Sequence, residues 1–100
     1  MKNMGQMMRQ MQARMAEAQN KLSAIEASGT AGGGLVEVVL NGKGEMRRVR
    51  IDPSLMKQHE REILEDLVVA AHNEARAKVE ALSQEAVRKI TGGTGLPGLG

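Results

Sequence analysis

The stretch GGGLVEVVLNGKGEMRRVRIDPS, residues 32–54, predicts a β-hairpin around which the rest of the chain is arranged. Residues 35–40 are an apolar run rich in β-branched side chains, and residues 45–51 supply the returning strand. Asn41-Gly42-Lys43-Gly44 is predicted to form the turn between them, because Asn and Gly accept the positive φ that tight hairpins need. Pro53 ends the pairing, since it has no amide hydrogen to donate.

If Leu40 pairs with Glu45, the side chains of this hairpin alternate between two faces of the strand pair. One face is apolar and predicts a core, with Val36, Val38, Leu40, Val49 and Ile51. The other mixes apolar and cationic side chains, with Leu35, Val39, Met46, Arg48 and Arg50. A hairpin alone is barely stable in water, so the flanking segments are expected to cover it.

Residues 1–25 predict a helix with a heptad pattern. The apolar positions alternate in spacings of four and three, at Met4, Met8, Met11, Met15, Ala18, Leu22 and Ile25. So narrow a stripe favours packing against another helix, and the candidate packing residues are Met4, Met8, Met11, Met15 and Leu22. We call the four methionines the Met seam. Its partner is either the second helix of this chain or the first helix of another copy.

A second, longer helix is predicted over about residues 58–90, with an eleven-residue apolar rhythm close to that of a straight helix. The glycine-rich residues 26–34 lead into the hairpin, and part of them can pair as a short extra strand. Asp52 is placed to cap the turn that follows the hairpin. Residues 1–91 are therefore predicted to form one domain, and residues 92–100 a flexible Gly-rich tail.

The composition argues against catalysis and against a metal or cofactor site. The chain has no Cys, and His59 and His72 do not share a helical face. The Met-rich first helix favours soft helix packing over a thioether metal site, because no His or Cys accompanies it. No run is long and apolar enough for a bilayer. We expect a cytoplasmic, non-enzymatic protein without cofactor, membrane contact or small-molecule substrate.

The basic residues are the remaining signal. The first fifty residues carry eight basic and four acidic side chains, and the second fifty carry six and eight. A cationic surface is predicted from the first helix and the second hairpin strand, with Arg9, Arg14, Lys21, Arg47, Arg48 and Arg50. The chain has no aromatic residue, and single strands and RNA loops are usually held by aromatic stacking. Among nucleic acids, the sequence therefore favours duplex DNA, bound through its phosphates.

Several motifs resemble the YbaB/EbfC family of bacterial nucleoid-associated proteins. They are GGGLV at 32–36, the Asn41-Gly42 turn, IDPSL at 51–55 and LEDLVVAA at 64–71, behind a Met/Gln-rich helix. The resemblance implies an α+β fold of order α-β-β-β-α, in two layers, with a three-stranded antiparallel sheet whose first strand comes from residues 26–32. It also implies a homodimer with long helices that project like tweezers.

In function, the resemblance implies binding to duplex DNA with a change in DNA shape, and roles in nucleoid organisation and gene regulation. DNA contacts in the family are ascribed to the projecting helices. This carries over to Arg9, Arg14 and Lys21, and, on the last helix, to Arg76, Lys78, Arg88 and Lys89. The alternative is a protein-protein interaction module that uses the Met-rich heptad of the first helix.

Overall fold

The protein has the predicted order α-β-β-β-α in a computed structural model that describes residues 2–90, with the side chains of residues 4–89. The elements are α1 (Lys2–Ala24), β1 (Glu26–Ala31), β2 (Val36–Asn41), β3 (Met46–Ile51), the 3-10 turns Pro53–Leu55 and Gln58–Glu60, and α2 (Arg61–Ile90). The extra strand implied for residues 26–32 is confirmed as β1. The predicted tail, residues 92–100, lies outside the described residues.

The three strands form one antiparallel sheet in the order β1-β2-β3. The connection from β1 to β2 passes through Gly32, Gly33 and Gly34, which have φ values of 65, 69 and 96°. Residues with a Cβ rarely adopt positive φ values, so the three glycines allow the tight connection between β1 and β2. In the central strand β2, Val36, Val38 and Leu40 are buried.

The predicted register of β2 and β3 was wrong along the whole hairpin, since Val36 pairs with Ile51 and Val38 with Val49. Leu40 pairs with Met46 rather than Glu45, and a bulge follows before Val39 pairs with Arg48. Glu45 belongs to the turn, because its carbonyl accepts the Asn41 amide at 2.9 Å. The bulge restores the predicted faces for Val36, Val38, Val49 and Ile51, but it places Met46 opposite Leu40 instead of among the arginines.

The helix α2 packs across β1 and β2 and leaves β3 largely uncovered on the same side of the sheet. The core joins Val36, Val38, Leu40, Leu55, Ala71, Ala75 and Val79. Gly29 lets α2 approach closely, since a Cβ there would collide with the Ala71 carbonyl and the Ala75 amide. Val49 was predicted to be in the core, but it is 47% exposed because α2 packs on β1 and β2 and leaves β3 largely uncovered.

The helix α1 is attached to the rest of the chain at its C-terminal end. The Gly42 amide donates to the carbonyls of Leu22, at 2.9 Å, and Ile25, at 3.0 Å. Further out, the methionines of the Met seam are 60–68% exposed. Of the two partners predicted for the seam, α2 of the same chain is therefore excluded. The molecule is elongated, measuring 67 × 30 × 15 Å.

Candidate nucleic-acid interface

The cations of α1 are the least compensated of the predicted DNA contacts. Arg9 and Arg14 have no ion pair or hydrogen bond among the residues whose side chains are described, 4–89. Lys21 has only an exposed pair with Glu17, at 3.5 Å, and Glu17 is the single acid of α1. Arg14 and Lys21 are seven residues apart and therefore share one side of the helix. Arg9 lies on the side opposite Met11, since a helix turns by about 100° per residue.

The arginines of β3 lie within ion-pair distance of acids from β1 and β2. Arg47 and Arg48 approach Glu26 at 3.8 and 3.7 Å, and Arg50 approaches Glu37 at 3.7 Å. These pairs are exposed and long, so each contributes little to stability. Their effect is to balance charge: an anion that binds here must compete with two carboxylates. The sequence did not reveal this balance, because Glu26 is distant from Arg48 along the chain.

The predicted cations of α2 are also matched by acids. Arg76 pairs with Glu80 and Lys78 with Glu74, both at 3.1 Å, and Lys89 pairs with Glu85 at 3.7 Å. All three pairs are one helical turn apart, as the i, i+4 spacing dictates. Arg88 lies beside Lys89 in the last turn, where the helix dipole favours cations. Lys89 also lines a shallow cleft with Ile25 and Glu26, at the base of α1.

Glu74 has a second role in holding α2 to the sheet. Its carboxylate accepts the backbone amide of Thr30 in β1 at 3.4 Å, as well as the contact from Lys78. The hydrogen bond from Lys78, then the amide of Thr30 and the charge of Lys78, lower the pKa of this carboxyl. At neutral pH Glu74 is therefore ionised and neutralises Lys78.

The structure thus divides the ten predicted contacts into three groups on different surfaces. Only the α1 group has a clear excess of positive charge. Lys43, in the turn between β2 and β3, was not among the predicted contacts, but it also has no acidic partner within residues 4–89. A sequence signal did exist, since Lys43 occupies the Asn-Gly-Lys-Gly turn, but nothing in the sequence showed what the turn faces.

Other kinds of site are not found in the described part of the chain. No group of three or more His, Asp or Glu side chains there is arranged to hold a metal ion. Neither α1 nor α2, within residues 2–90, has an apolar stretch sufficient to cross a bilayer. The Met seam carries only thioethers, and both histidines are remote from it along the chain.

A sequence profile of the YbaB/EbfC DNA-binding family matches residues 1–94. The chain belongs to this family. A nucleoid-associated protein of Granulibacter bethesdensis is 53% identical over 100 residues, covering 97% of this chain and 94% of that protein. Another nucleoid-associated protein, from Agrobacterium fabrum, is 55% identical over 89 residues, covering 89% of this chain and 83% of that protein. The resemblance noted in the motifs is therefore confirmed.

Solved structures support the fold of this YbaB/EbfC family member. The crystal structure of an uncharacterized Helicobacter pylori protein aligns with a TM-score of 0.70 at 24% identity, covering 87% of this chain and 91% of that one. The shared fold is the helix, three-stranded antiparallel sheet and long second helix described above. The family description names DNA binding and no catalytic activity, in agreement with the prediction of a non-enzymatic protein.

Proposed function

We propose that this nucleoid-associated protein binds duplex DNA as a homodimer, mainly through phosphate contacts of low sequence specificity. In doing so it alters DNA conformation and contributes to nucleoid organisation and gene regulation. The observation that carries the proposal is α1, a projecting helix whose Arg9 and Arg14 form no ion pair within residues 4–89, in a chain of a DNA-binding family. Arginine and lysine bind phosphate through charge and several N–H donors, without reading the base sequence.

The Met seam supports the homodimer. Its four exposed methionines form an apolar patch along one helix, and exposed apolar patches often mark an interaction surface. The seam keeps heptad spacing along α1, as helices that pair with a second helix do. On β3, Met46 and Val49 are each 47% exposed and offer further apolar area. A second copy that covers these side chains would bring two cationic α1 helices into one assembly and double the charge available to DNA.

The alternative, an interaction module for a different protein, uses the same seam. The family match favours DNA, because relatives at about half identity carry the name nucleoid-associated. Charge reversal of Arg9, Arg14 and Lys21 separates the two functions. It should abolish DNA binding if the proposal holds, and leave DNA binding intact if α1 serves only a protein partner.

The salt dependence of binding tests the phosphate mechanism. Fluorescence anisotropy with a labelled duplex, titrated at several salt concentrations, gives the slope of log K against log salt. Each phosphate contact contributes about −0.9 to that slope on B-DNA. The variant Arg9→Gln/Arg14→Gln should flatten the slope by about 0.9 for each contact it removes. The matched variant Arg48→Gln/Arg50→Gln loses the same charge from paired arginines and should change it less.

An affinity that barely changes with salt would refute the phosphate mechanism. Two duplexes of unrelated sequence should bind with similar affinity, and a strong preference would refute low specificity. Sedimentation equilibrium at micromolar concentration should show a dimer, and a monomer would refute the assembly. A change in end-to-end distance of a doubly labelled duplex on binding reports the altered DNA conformation.

A further inference from the structure

The turn between β2 and β3 faces the middle of α2 across an open cleft of about 370 Å³. We call it the turn cleft. Its floor is apolar, with Leu40 and Val79, and Gly42 and Gly44 form one wall. Its polar lining comes from both elements, with Lys43, His72, Arg76, Glu80 and Ser83. Two of these five side chains, Lys43 and Arg76, are cationic.

The turn that presents Lys43 is rigidly held. Asn41 is the one buried polar side chain among the described residues, and its Oδ1 accepts the amides of Lys43 and Glu45, both at 3.0 Å. Its Nδ2 donates to the Glu45 carboxylate at 2.8 Å, and its carbonyl accepts the Gly44 amide at 2.9 Å. The turn amides are therefore used internally. A ligand in the turn cleft must be bound by side chains.

Those side chains leave a net positive charge. The Lys43 ammonium has no acidic partner within residues 4–89. Arg76 gives only its Nε to Glu80, at 3.1 Å, so the two terminal nitrogens of its guanidinium remain available. That pair neutralises Glu80, the single acid in the cleft wall. Ser83 donates to the Gly42 carbonyl only at 3.5 Å, which leaves its hydroxyl able to turn toward a better acceptor.

We propose that the turn cleft binds a phosphate of the DNA backbone, an inference that rests on the proposed function. A lysine, the open end of a guanidinium and a hydroxyl are the donors that a phosphate diester accepts from. The apolar floor excludes water from one side and strengthens their attraction to the anion. The site also adjoins α1, because Gly42 lines the cleft and bonds to Leu22 at the base of that helix. A duplex that follows α1 down to its base would therefore meet the cleft.

The chain offers a matched control for this proposal. Lys43→Gln/Arg76→Gln removes one unpaired lysine and one arginine that pairs at i, i+4. Lys57→Gln/Arg61→Gln removes the same combination elsewhere, since Arg61 pairs with Glu65 at 3.5 Å and Lys57 has no acidic partner within residues 4–89. The cleft variant should bind duplex about five- to tenfold more weakly than the control and lose about 0.9 of salt slope for each phosphate released.

A gain of affinity provides an independent test. Glu80→Gln removes the acid of the cleft wall and frees Arg76 entirely, so duplex binding should tighten by about threefold or more. Glu65→Gln, which frees Arg61 outside the cleft, should tighten binding less. A damaged fold cannot mimic such a gain, which keeps the test decisive even if the double variant is unstable.

Amide chemical shifts of the wild-type protein locate the contact directly. Duplex DNA should shift the amides of residues 42–44 and of residues 72, 76 and 83, whereas those of Lys57 and Arg61 should move less. Cleft and control variants that bind with equal affinity and salt slope would overturn the proposal, as would a nucleoside monophosphate that binds in the cleft without competing with duplex. If the wild-type protein fails to bind duplex at all, the proposed function itself is wrong.

Discussion

Gly29→Ala tests the contact that places α2 on the sheet. Gly29 lies in β1 directly beneath Ala71 and Ala75 of α2, and both alanines are fully buried. An added Cβ would meet the Ala71 carbonyl oxygen, the Ala75 nitrogen and the Ala75 Cα, the last at 3.0 Å, inside the 3.4 Å where ordinary contact begins. All three are backbone atoms. No side chain can rotate away, so α2 as a whole must move.

The magnitude follows from two opposing effects. Overpacking of a tight core costs about 1–3 kcal/mol, and the rigid backbone here puts Gly29→Ala at the upper end. Replacing glycine also lowers the entropy of the unfolded chain, which returns about 0.4–1 kcal/mol. The net loss is about 2 kcal/mol, which for a domain of this size corresponds to a fall in Tm of about 8–16 °C.

Thermal denaturation followed by circular dichroism measures this loss at a fixed protein concentration. Gly5→Ala is the matched control, because it adds the same methyl group in α1, where nothing lies within 4 Å. It should raise local helicity and change the Tm far less than Gly29→Ala does, since no described atom meets the added methyl group. A Gly29→Ala protein as stable as wild type would show that α2 does not pack on β1 as described.

Three further predictions concern the attachment of α1, its seam and the pH dependence of stability. Gly42→Ala should loosen α1 from the hairpin, because the added Cβ collides with the Leu22 carbonyl. Amide hydrogen exchange in the last turn of α1 should therefore become faster. Unchanged exchange would contradict this attachment. Met15→Lys should weaken dimerisation at least tenfold in sedimentation without lowering helicity, whereas Met15→Leu should preserve the dimer. Glu74 has a lowered pKa, so it stabilises the fold above its ordinary pKa of 4.5, and this contribution is lost as pH falls through the lowered value. Glu74→Gln should therefore show a smaller drop in unfolding free energy on acidification than wild type, and an identical pH profile would show that folding does not lower the pKa of Glu74.

Local features of the fold were predictable because they depend on neighbours a few residues away. The Asn41-Gly42 turn, the heptad of α1 and the cap at Asp52 are of this kind, and in the structure Asp52 accepts the Ser54 amide at 2.9 Å. The error in the predicted register of β2 and β3 has a different cause. The side chain of buried Asn41 draws Glu45 into the turn, and a bulge in β3 compensates, which no alternation of apolar residues reveals.

The sequence indicated that basic residues contact DNA, but it could not show which of them are paired with acids. Counting charges treated Arg14 and Arg48 alike, since both are arginines on exposed elements. In the fold, β1 brings Glu26 beside Arg48, while Arg14 on the projecting α1 forms no ion pair within the described residues. Lys43 could not be ranked from the sequence either, because only the packing of the turn against α2 places it in the same cleft as Arg76.

The amino-acid sequence by itself determined the hairpin, both long helices, the heptad of the Met seam and the total of positive charge, because propensity and periodicity act over one or two turns of chain. Tertiary structure alone decided, over the described residues, that β3 stays largely uncovered, that the Met seam is exposed, and which cations pair with acids. These properties depend on distances between residues far apart in sequence, and packing sets those distances. For residues 32–54 the consequence is concrete: the hairpin is a platform whose turn faces α2 and whose uncovered strand faces outward.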